Sequence, residues 1–348
     1  MDHENGGGAT RRKFMQLLGA LGLGGQFLLR PRDLLAAVSE TAGAPGRDPS
    51  WPEMSYRTLG RTGHRASRLI FGCGAALRKG RRDELLNTAL AAGVNVFDIG
   101  TRRYYPDSER NLAPFLKRNR DQIFLISKGI LELDEKPKKV LSLQQQKEAA
   151  ASWLEMLDES LADLGVDHVD AYYMMAVNNP TLVTSEEMYR AFQSAKAAGK
   201  VRFFGFSSHL NAQNVLDAAI GTGWYDLAML AVTPAGWYDW NDGGVLENTP
   251  DLVALQPLLA RARAAGIGLI GMKAGRVLAS REWYGKGNSK AFDGFYDEKL
   301  LKSGLSDFQR SYAYVLAHGL DAVNADIQSE AHLKQNFVAA ATSHQHFA

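Results

Sequence analysis

The chain has 348 residues, 45% of them hydrophobic, and a formal net charge of +2 at pH 7. This length suits one large domain or two ordinary ones, and the near-balance of charge gives no reason to expect a nucleic-acid partner. The single cysteine, Cys73, excludes an internal disulfide and a cysteine-based zinc site. Because HExxH and CxxC motifs are also missing from the sequence, we predict no metal site.

The first 44 residues are typical of a targeting segment. A polar, glycine-rich stretch precedes Arg11 and Arg12, and a weakly apolar run follows over 17–29. This run is shorter than the roughly 20 apolar residues that span a bilayer. The segment resembles a twin-arginine export signal, which predicts binding to the export machinery, a periplasmic location and a soluble mature chain without a membrane span. The alternative is an ordinary amphipathic helix after a chance arginine pair.

Residues 55–348 alternate strand and helix patterns, after a predicted linker at 45–54. A short hairpin at about 56–66 comes first. Eight strand-like runs follow, at Leu69–Gly72, Val96–Asp98, Ile123–Lys128, Val169–Met175, Val201–Ser207, Leu227–Val232, Gly268–Lys273 and Ala322–Asp326. Helical patterns between and after them include 82–92, 147–164, 185–198, 212–220, 252–265, 306–316 and 330–341. This alternation favours an α/β fold, a closed (β/α)8 TIM barrel with the hairpin as a plug at one end.

Two of the predicted strands end in charged residues, Asp98 and Lys128, and the loop between them carries Tyr104 and Tyr105. Parallel barrel strands end on one face, so the acid and the lysine are expected to pair beneath a tyrosine. A lysine close to a phenol lowers its pKa and makes it a usable proton donor near neutrality. A plain core salt bridge with tyrosines in a surface loop is equally compatible with the spacing.

Three connections that follow strands are longer than a barrel needs, at 129–146, 233–250 and 274–305. The second contains Trp237 and Trp240 in a glycine-containing loop. Aromatic side chains over the mouth of a barrel predict the wall of a small-molecule substrate pocket. Packing of the same side chains onto the barrel rim is the alternative.

Motifs in a fixed order over residues 55–341 resemble those of the aldo–keto reductases. They include Tyr56–Gly63, Leu69–Gly72, Gly93–Asp98, Tyr105–Glu109, Ser127–Lys128, Ala198–His209, Ala265–Lys273 and Gln335–Asn336. The resemblance implies a hydride transfer between NADP or NAD and a carbonyl-type substrate. It also implies catalytic roles for Asp98, Lys128 and a tyrosine. The family's usual tyrosine position holds Arg103 here, so two residues are inserted, and the motif favours Tyr105 with Tyr104 as second choice.

The same resemblance implies a cofactor site made of six residues: Ser207, Ser208, Lys273, Ser329, Gln335 and Asn336. Ser207 matches a contact to the nicotinamide carboxamide, and the last three match positions on the adenosine side. Gln328 replaces a basic residue that would hold a 2′-phosphate. The preference between NADP and NAD therefore stays open.

Three further substitutions depart from the family pattern. Met175, which joins Trp237 and Trp240 as a predicted substrate-pocket residue, replaces a histidine, and a thioether cannot donate a hydrogen bond to a carbonyl oxygen. Met229 replaces a carboxamide-binding glutamine, and Asp326 replaces a glycine. Two interpretations follow, an exported oxidoreductase and a non-catalytic barrel that binds a ligand or a partner.

Overall fold

The strands follow the predicted order in a computed structural model that describes residues 50–131, 139–279 and 287–347. They are β1 (Tyr56–Thr58), β2 (Arg65–Ser67), β3 (Leu69–Gly72), β4 (Val96–Asp98), β5 (Phe124–Ile130), β6 (Val169–Met175), β7 (Val201–Ser208), β8 (Leu227–Thr233), β9 (Gly236–Trp237), β10 (Gly268–Met272) and β11 (Ala322–Asp326). Strands β3 to β8, β10 and β11 pair in parallel with their neighbours. The ring closes because β10 pairs with β8 on one side and with β11 on the other, and β11 pairs with β3. The predicted (β/α)8 barrel is confirmed.

The helices lie between the strands and after the last one. They are α1 (Cys73–Leu77), α2 (Asp83–Ala91), α3 (Ser108–Asn119), α4 (Leu143–Leu164), α5 (Pro180–Val183), α6 (Glu186–Ala197), α7 (Ala212–Thr222), α8 (Gln256–Ala264), α9 (Glu298–Leu301), α10 (Asp307–Ala317) and α11 (Glu330–Thr342). Helix α4 begins four residues before the predicted start. Ser142 and Gln145 form a reciprocal capping box there, which satisfies two backbone N–H groups at the helix start.

The antiparallel hairpin of β1 and β2 covers the amino-terminal end of the barrel. Leu59, in its turn, is fully buried within the barrel interior. The backbone of the turn also contacts the start of β10, where Arg61 N–H donates to Gly266 O at 2.7 Å. Gly60 has a φ of +48°, and a Cβ there would lie 2.2 Å from Gly268 N. Only glycine allows this approach, so the predicted plug is a tightly fitted part of the fold.

Apolar side chains alternate between two layers along each barrel strand. In β6, Ala171 and Tyr173 point into the barrel, whereas Tyr172 and Met174 belong to the larger core beneath the helices. Every residue of β6 is buried. Burial on both faces is the reason that residues 171–175 of this strand are an uninterrupted run of alanine, tyrosine and methionine.

Packing onto the barrel begins inside the segment predicted as a linker at 45–54. Trp51 is 5% exposed, and its ring centroid lies 4.9 Å from that of Phe337 in α11. Met54 is also buried. The predicted targeting segment at 1–44 lies outside the described residues. Across the described part of the chain, no helix combines the length and the apolar character needed to cross a membrane.

Glu109 is a buried carboxyl group between α3 and β5. It is 1% exposed, and Ser127 Oγ donates to its Oε1 at 2.7 Å. Burial raises the pKa of Glu109 to about 7, although hydrogen bonds from Ser127 and Ser160 oppose the shift. An unfolded chain releases this proton at its ordinary pKa of 4.5, whereas the folded protein keeps it up to about pH 7. Stability from this group is therefore lost as pH rises across that window.

We expect Glu109→Gln to remove this pH dependence, because the neutral amide keeps the shape of the protonated acid. The variant should match the wild type near pH 5 and exceed its free energy of unfolding at pH 8 by up to about 3 kcal/mol. Urea unfolding at both pH values measures this. The exposed Glu148, changed to Gln, serves as the control. An equal loss of stability at both pH values in Glu109→Gln would contradict the assignment.

Candidate active site at the barrel mouth

Asp98 and Lys128 form a buried ion pair at the carboxyl ends of β4 and β5. Lys128 Nζ lies 2.5 Å from Asp98 Oδ1, and it also donates to Ile99 O at 2.6 Å. Each side chain is about 6% exposed. The two residues predicted to pair at the end of neighbouring strands therefore do so, in surroundings where an unpaired charge would be strongly destabilising.

Asn324 is a third member of this network, and the sequence analysis missed it. Its Nδ2 donates to Asp98 Oδ2 at 2.6 Å and contacts the sulfur of Met229 at 3.3 Å. Both carboxylate oxygens of Asp98 are thus engaged. Burial raises the pKa of Asp98, and the Lys128 ammonium and the Asn324 amide pull it back. An amide inside the otherwise apolar run Ala322–Ala325 is the signal that could have identified Asn324.

Tyr105 is the inner of the two loop tyrosines. Its ring packs against Gly74 and Gly100, so closely that a Cβ on Gly74 would lie 2.7 Å from Tyr105 Cζ. Tyr104 is 38% exposed and packs its ring edge-on against Tyr105, with centroids 4.7 Å apart. This geometry agrees with the choice of Tyr105 before Tyr104.

The pKa of Tyr105 does not follow the prediction. Burial raises it above its ordinary value, and the proximity of Tyr104, Asp98 and Asp326 raises it further. The Lys128 ammonium is directed at Asp98 and Ile99, and no described residue hydrogen-bonds the Tyr105 hydroxyl. The expectation that Lys128 lowers this pKa was therefore wrong, because the lysine's charge is compensated locally.

Met175 ends β6 at the same mouth and is 6% exposed. Its sulfur lies 3.7 Å from the position of a Cβ on Gly100, the residue that also supports the Tyr105 ring. The residue predicted to replace a histidine thus lies beside the tyrosine. It presents a thioether where a hydrogen-bond donor would be expected.

The two serines at the end of β7 hold neighbouring loops. Ser207 Oγ accepts from Ala176 N–H at 2.9 Å, and its own hydroxyl hydrogen has no acceptor among the described residues. Ser208 is fully buried and donates to Leu210 O at 3.0 Å. Ser207 can therefore still donate to a carboxamide oxygen, whereas Ser208 stabilises the turn.

The sequence left two alternatives for the tryptophans of the loop after β8, the wall of a substrate pocket and packing onto the barrel rim. The two side chains differ in this respect. Trp237 is 3% exposed, and its indole N–H donates to Gln213 Oε1 at 3.2 Å. It packs on the rim. Trp240 is 45% exposed, and Lys273 Nζ lies 4.9 Å from its ring centroid. Trp240 is therefore the tryptophan of this loop that a bound molecule can contact.

The predicted adenosine-side residues lie on α11, with Ser329 at its start and Gln335 and Asn336 near its middle. Ser329 caps this helix by accepting from His332 N–H, and Asn336 is buried. Gln335 Nε2 donates to Ser306 Oγ at 2.8 Å, so its amide serves the interface with α10. Of the three, Ser329 is the one that lines a cavity of about 360 Å³, together with Arg81, Arg82, Asp83, Glu84, Leu85, Thr88, Gln328 and Glu330.

Asp326, which departs from the family pattern, ends β11 and is exposed. Gln328 Nε2 donates to its Oδ2 at 2.7 Å. Arg81 and Arg82 are exposed and line the cavity beside Ser329, where Arg81 is paired with Asp83.

Comparison with known proteins supports the fold described above. The model of the aldo/keto reductase family matches residues 70–272, more than half of the chain. Two solved structures of Pseudomonas aeruginosa proteins assigned to the aldo–keto reductases superpose with a TM-score of 0.58 at 20% identity. Each match covers 85% of this chain, with 97% and 98% of the solved chains, and supports the fold. This chain belongs to the aldo/keto reductase family.

Proposed function

We propose that the protein transfers hydride between a nicotinamide cofactor, NADP or NAD, and a carbonyl-type small molecule. The observation that carries the proposal is the buried Lys128–Asp98 pair beside Tyr105. A desolvated ion pair next to a titratable phenol at the mouth of a barrel is typical of a catalytic site.

The residues at the mouth fit such a cofactor at both of its ends. Ser207 offers a hydroxyl hydrogen to the carboxamide. Lys273, together with the Arg81 and Arg82 guanidinium groups beside the start of α11, offers positive charge to the phosphates. Asp83, Glu84 and Glu330 line the same cavity and limit that charge. These carboxylates leave the choice between NADP and NAD to measurement.

When bound, the nicotinamide supplies the hydride for the carbonyl carbon. Tyr105 donates its hydroxyl proton to the carbonyl oxygen, and its raised pKa keeps that proton in place at neutral pH. Lys128 compensates the charge of Asp98, which would otherwise oppose the phenolate that remains on Tyr105. Trp240 walls the substrate pocket, with Met175 at its base.

A non-catalytic barrel that binds a ligand or a partner is the second candidate function. The raised pKa of Tyr105 and the thioether of Met175 favour it, because each weakens the stabilisation of a reacting oxygen. Binding without turnover would distinguish this candidate from the first.

We further propose that residues 1–44 act as a twin-arginine-type signal and that the enzyme works in the periplasm. The support is the sequence pattern around Arg11 and Arg12. Such a route accepts folded proteins, so the cofactor could be loaded before export.

The function is tested by titrating the protein with NADPH and with NADH, followed by fluorescence, and by adding a panel of aldehydes. We expect saturable binding of at least one cofactor and its oxidation when an aldehyde is present. Lys128→Met should abolish turnover and spare cofactor binding. Failure of both cofactors to bind would refute the oxidoreductase and leave the non-catalytic barrel.

Tyr105→Phe should lower kcat about 10²-fold or more, since removal of a general acid usually costs that much. Tyr104→Phe is the matched control, because this exposed ring packs on Tyr105 without reaching the ion pair. Its kcat should stay within a few-fold of wild type. A larger loss in Tyr104→Phe than in Tyr105→Phe would assign the proton donor to Tyr104.

Changing Arg11 and Arg12 together to Lys should keep the protein in the cytoplasm, because a twin-arginine signal depends on the arginine pair. Cell fractionation with immunodetection measures the distribution. Arg30→Lys, which lies beyond the apolar run, is the control. Unchanged export of the double variant would show that the pair is incidental.

A further inference from the structure

His209 lies at the barrel mouth, one residue beyond β7, and none of the roles above uses it. Strands β6 and β7 are neighbours, with Met174 opposite Phe206. The ends that carry Met175 and His209 therefore lie side by side on the mouth of the ring.

The loops after β6 and β7 hold His209 in a fixed position. Ser207 O accepts from Val177 N–H at 2.8 Å, and Asn211 Nδ2 donates to Asn178 O at 2.9 Å. The Ser208 hydroxyl closes a turn across His209 by donating to Leu210 O. An imidazole held this way loses little conformational freedom when it binds a ligand.

The imidazole of His209 contacts Trp240 at the mouth and can still donate a hydrogen bond. Its ring packs on Trp240 with centroids 4.8 Å apart, and neither ring nitrogen has a hydrogen-bond partner among the described residues. Burial, Lys273 and Lys128 lower the pKa of His209 to about 3. The ring is therefore neutral at physiological pH, with one nitrogen as an N–H donor and the other as an acceptor.

We infer that His209 donates the hydrogen bond to the substrate's carbonyl oxygen that the thioether of Met175 cannot supply. The inference rests on the proposed oxidoreductase function and names a catalytic residue for it. His209 keeps its proton throughout. The proton that forms the product hydroxyl comes from Tyr105, and the hydride comes from the nicotinamide.

The test compares His209→Phe with His209→Gln. Phenylalanine keeps an aromatic contact with Trp240 and removes the donor, whereas glutamine keeps an N–H donor. With NADPH or NADH and 4-nitrobenzaldehyde, we expect kcat to fall about 10²-fold in His209→Phe. His209→Gln should stay within tenfold of wild type, and both variants should bind the cofactor normally. The exposed His332, changed to Phe, is the control.

A rescue variant separates a chemical role from a structural one. Met175→His in the His209→Phe background should recover at least tenfold in kcat, because it places an imidazole at the neighbouring strand end. Wild-type kcat in His209→Phe, or equal losses in both His209 variants, would overturn the inference and leave the oxidoreductase intact.

A second readout does not depend on turnover. Benzamide presents a carbonyl that this reaction cannot reduce. With the wild-type protein, benzamide should shift the ¹⁵N NMR signal of the protonated His209 ring nitrogen saturably. An unmoved signal at saturating benzamide would overturn the inference, whatever the activity. A shifted signal without cofactor binding would instead support His209 as a carbonyl-binding residue while refuting hydride transfer.

Discussion

The buried pair of Lys128 and Asp98 is the interaction on which the rest of the mouth depends. Removing one partner of such a pair typically costs about 3–5 kcal/mol, because the remaining charge is left uncompensated in an apolar interior. In the intact pair, three hydrogen bonds compensate the two buried charges. Lys128 donates to Asp98 and to Ile99 O, and Asn324 donates to Asp98. The network requires β4, β5 and β11 to be held in one register, which the closed barrel provides.

Asn324 reaches Asp98 across an intervening strand. In the ring, β3 lies between β11 and β4. The β3 residue level with Asp98 is Gly72, and a Cβ there would lie 2.8 Å from Asn324 Oδ1. Glycine at this position leaves the space through which the amide contacts the carboxylate. A small residue in one strand thus permits a polar contact between two others.

The compensation of the Lys128 charge by Asp98 also affects the pKa of Tyr105. Because the charge of Lys128 is directed at Asp98 and Ile99, Lys128 does not lower the pKa of the Tyr105 phenol. Burial and nearby carboxylates raise this pKa. Tyr105 therefore binds its hydroxyl proton more strongly than an ordinary tyrosine does. In the proposed reaction, stabilisation of the reacting oxygen then depends on other groups at the mouth, where the neutral imidazole of His209 is a suitable donor.

The sequence alone was sufficient to predict the barrel, because strictly alternating strand and helix patterns allow few other topologies. It also predicted the pairing of Asp98 with Lys128, since parallel strands end on one face. Their distance and the contact of Asn324 with Asp98 came from the tertiary structure. Asn324 is 226 residues from Asp98. The direction of the Tyr105 pKa shift also depends on burial and on distances between charges, which local sequence patterns do not encode.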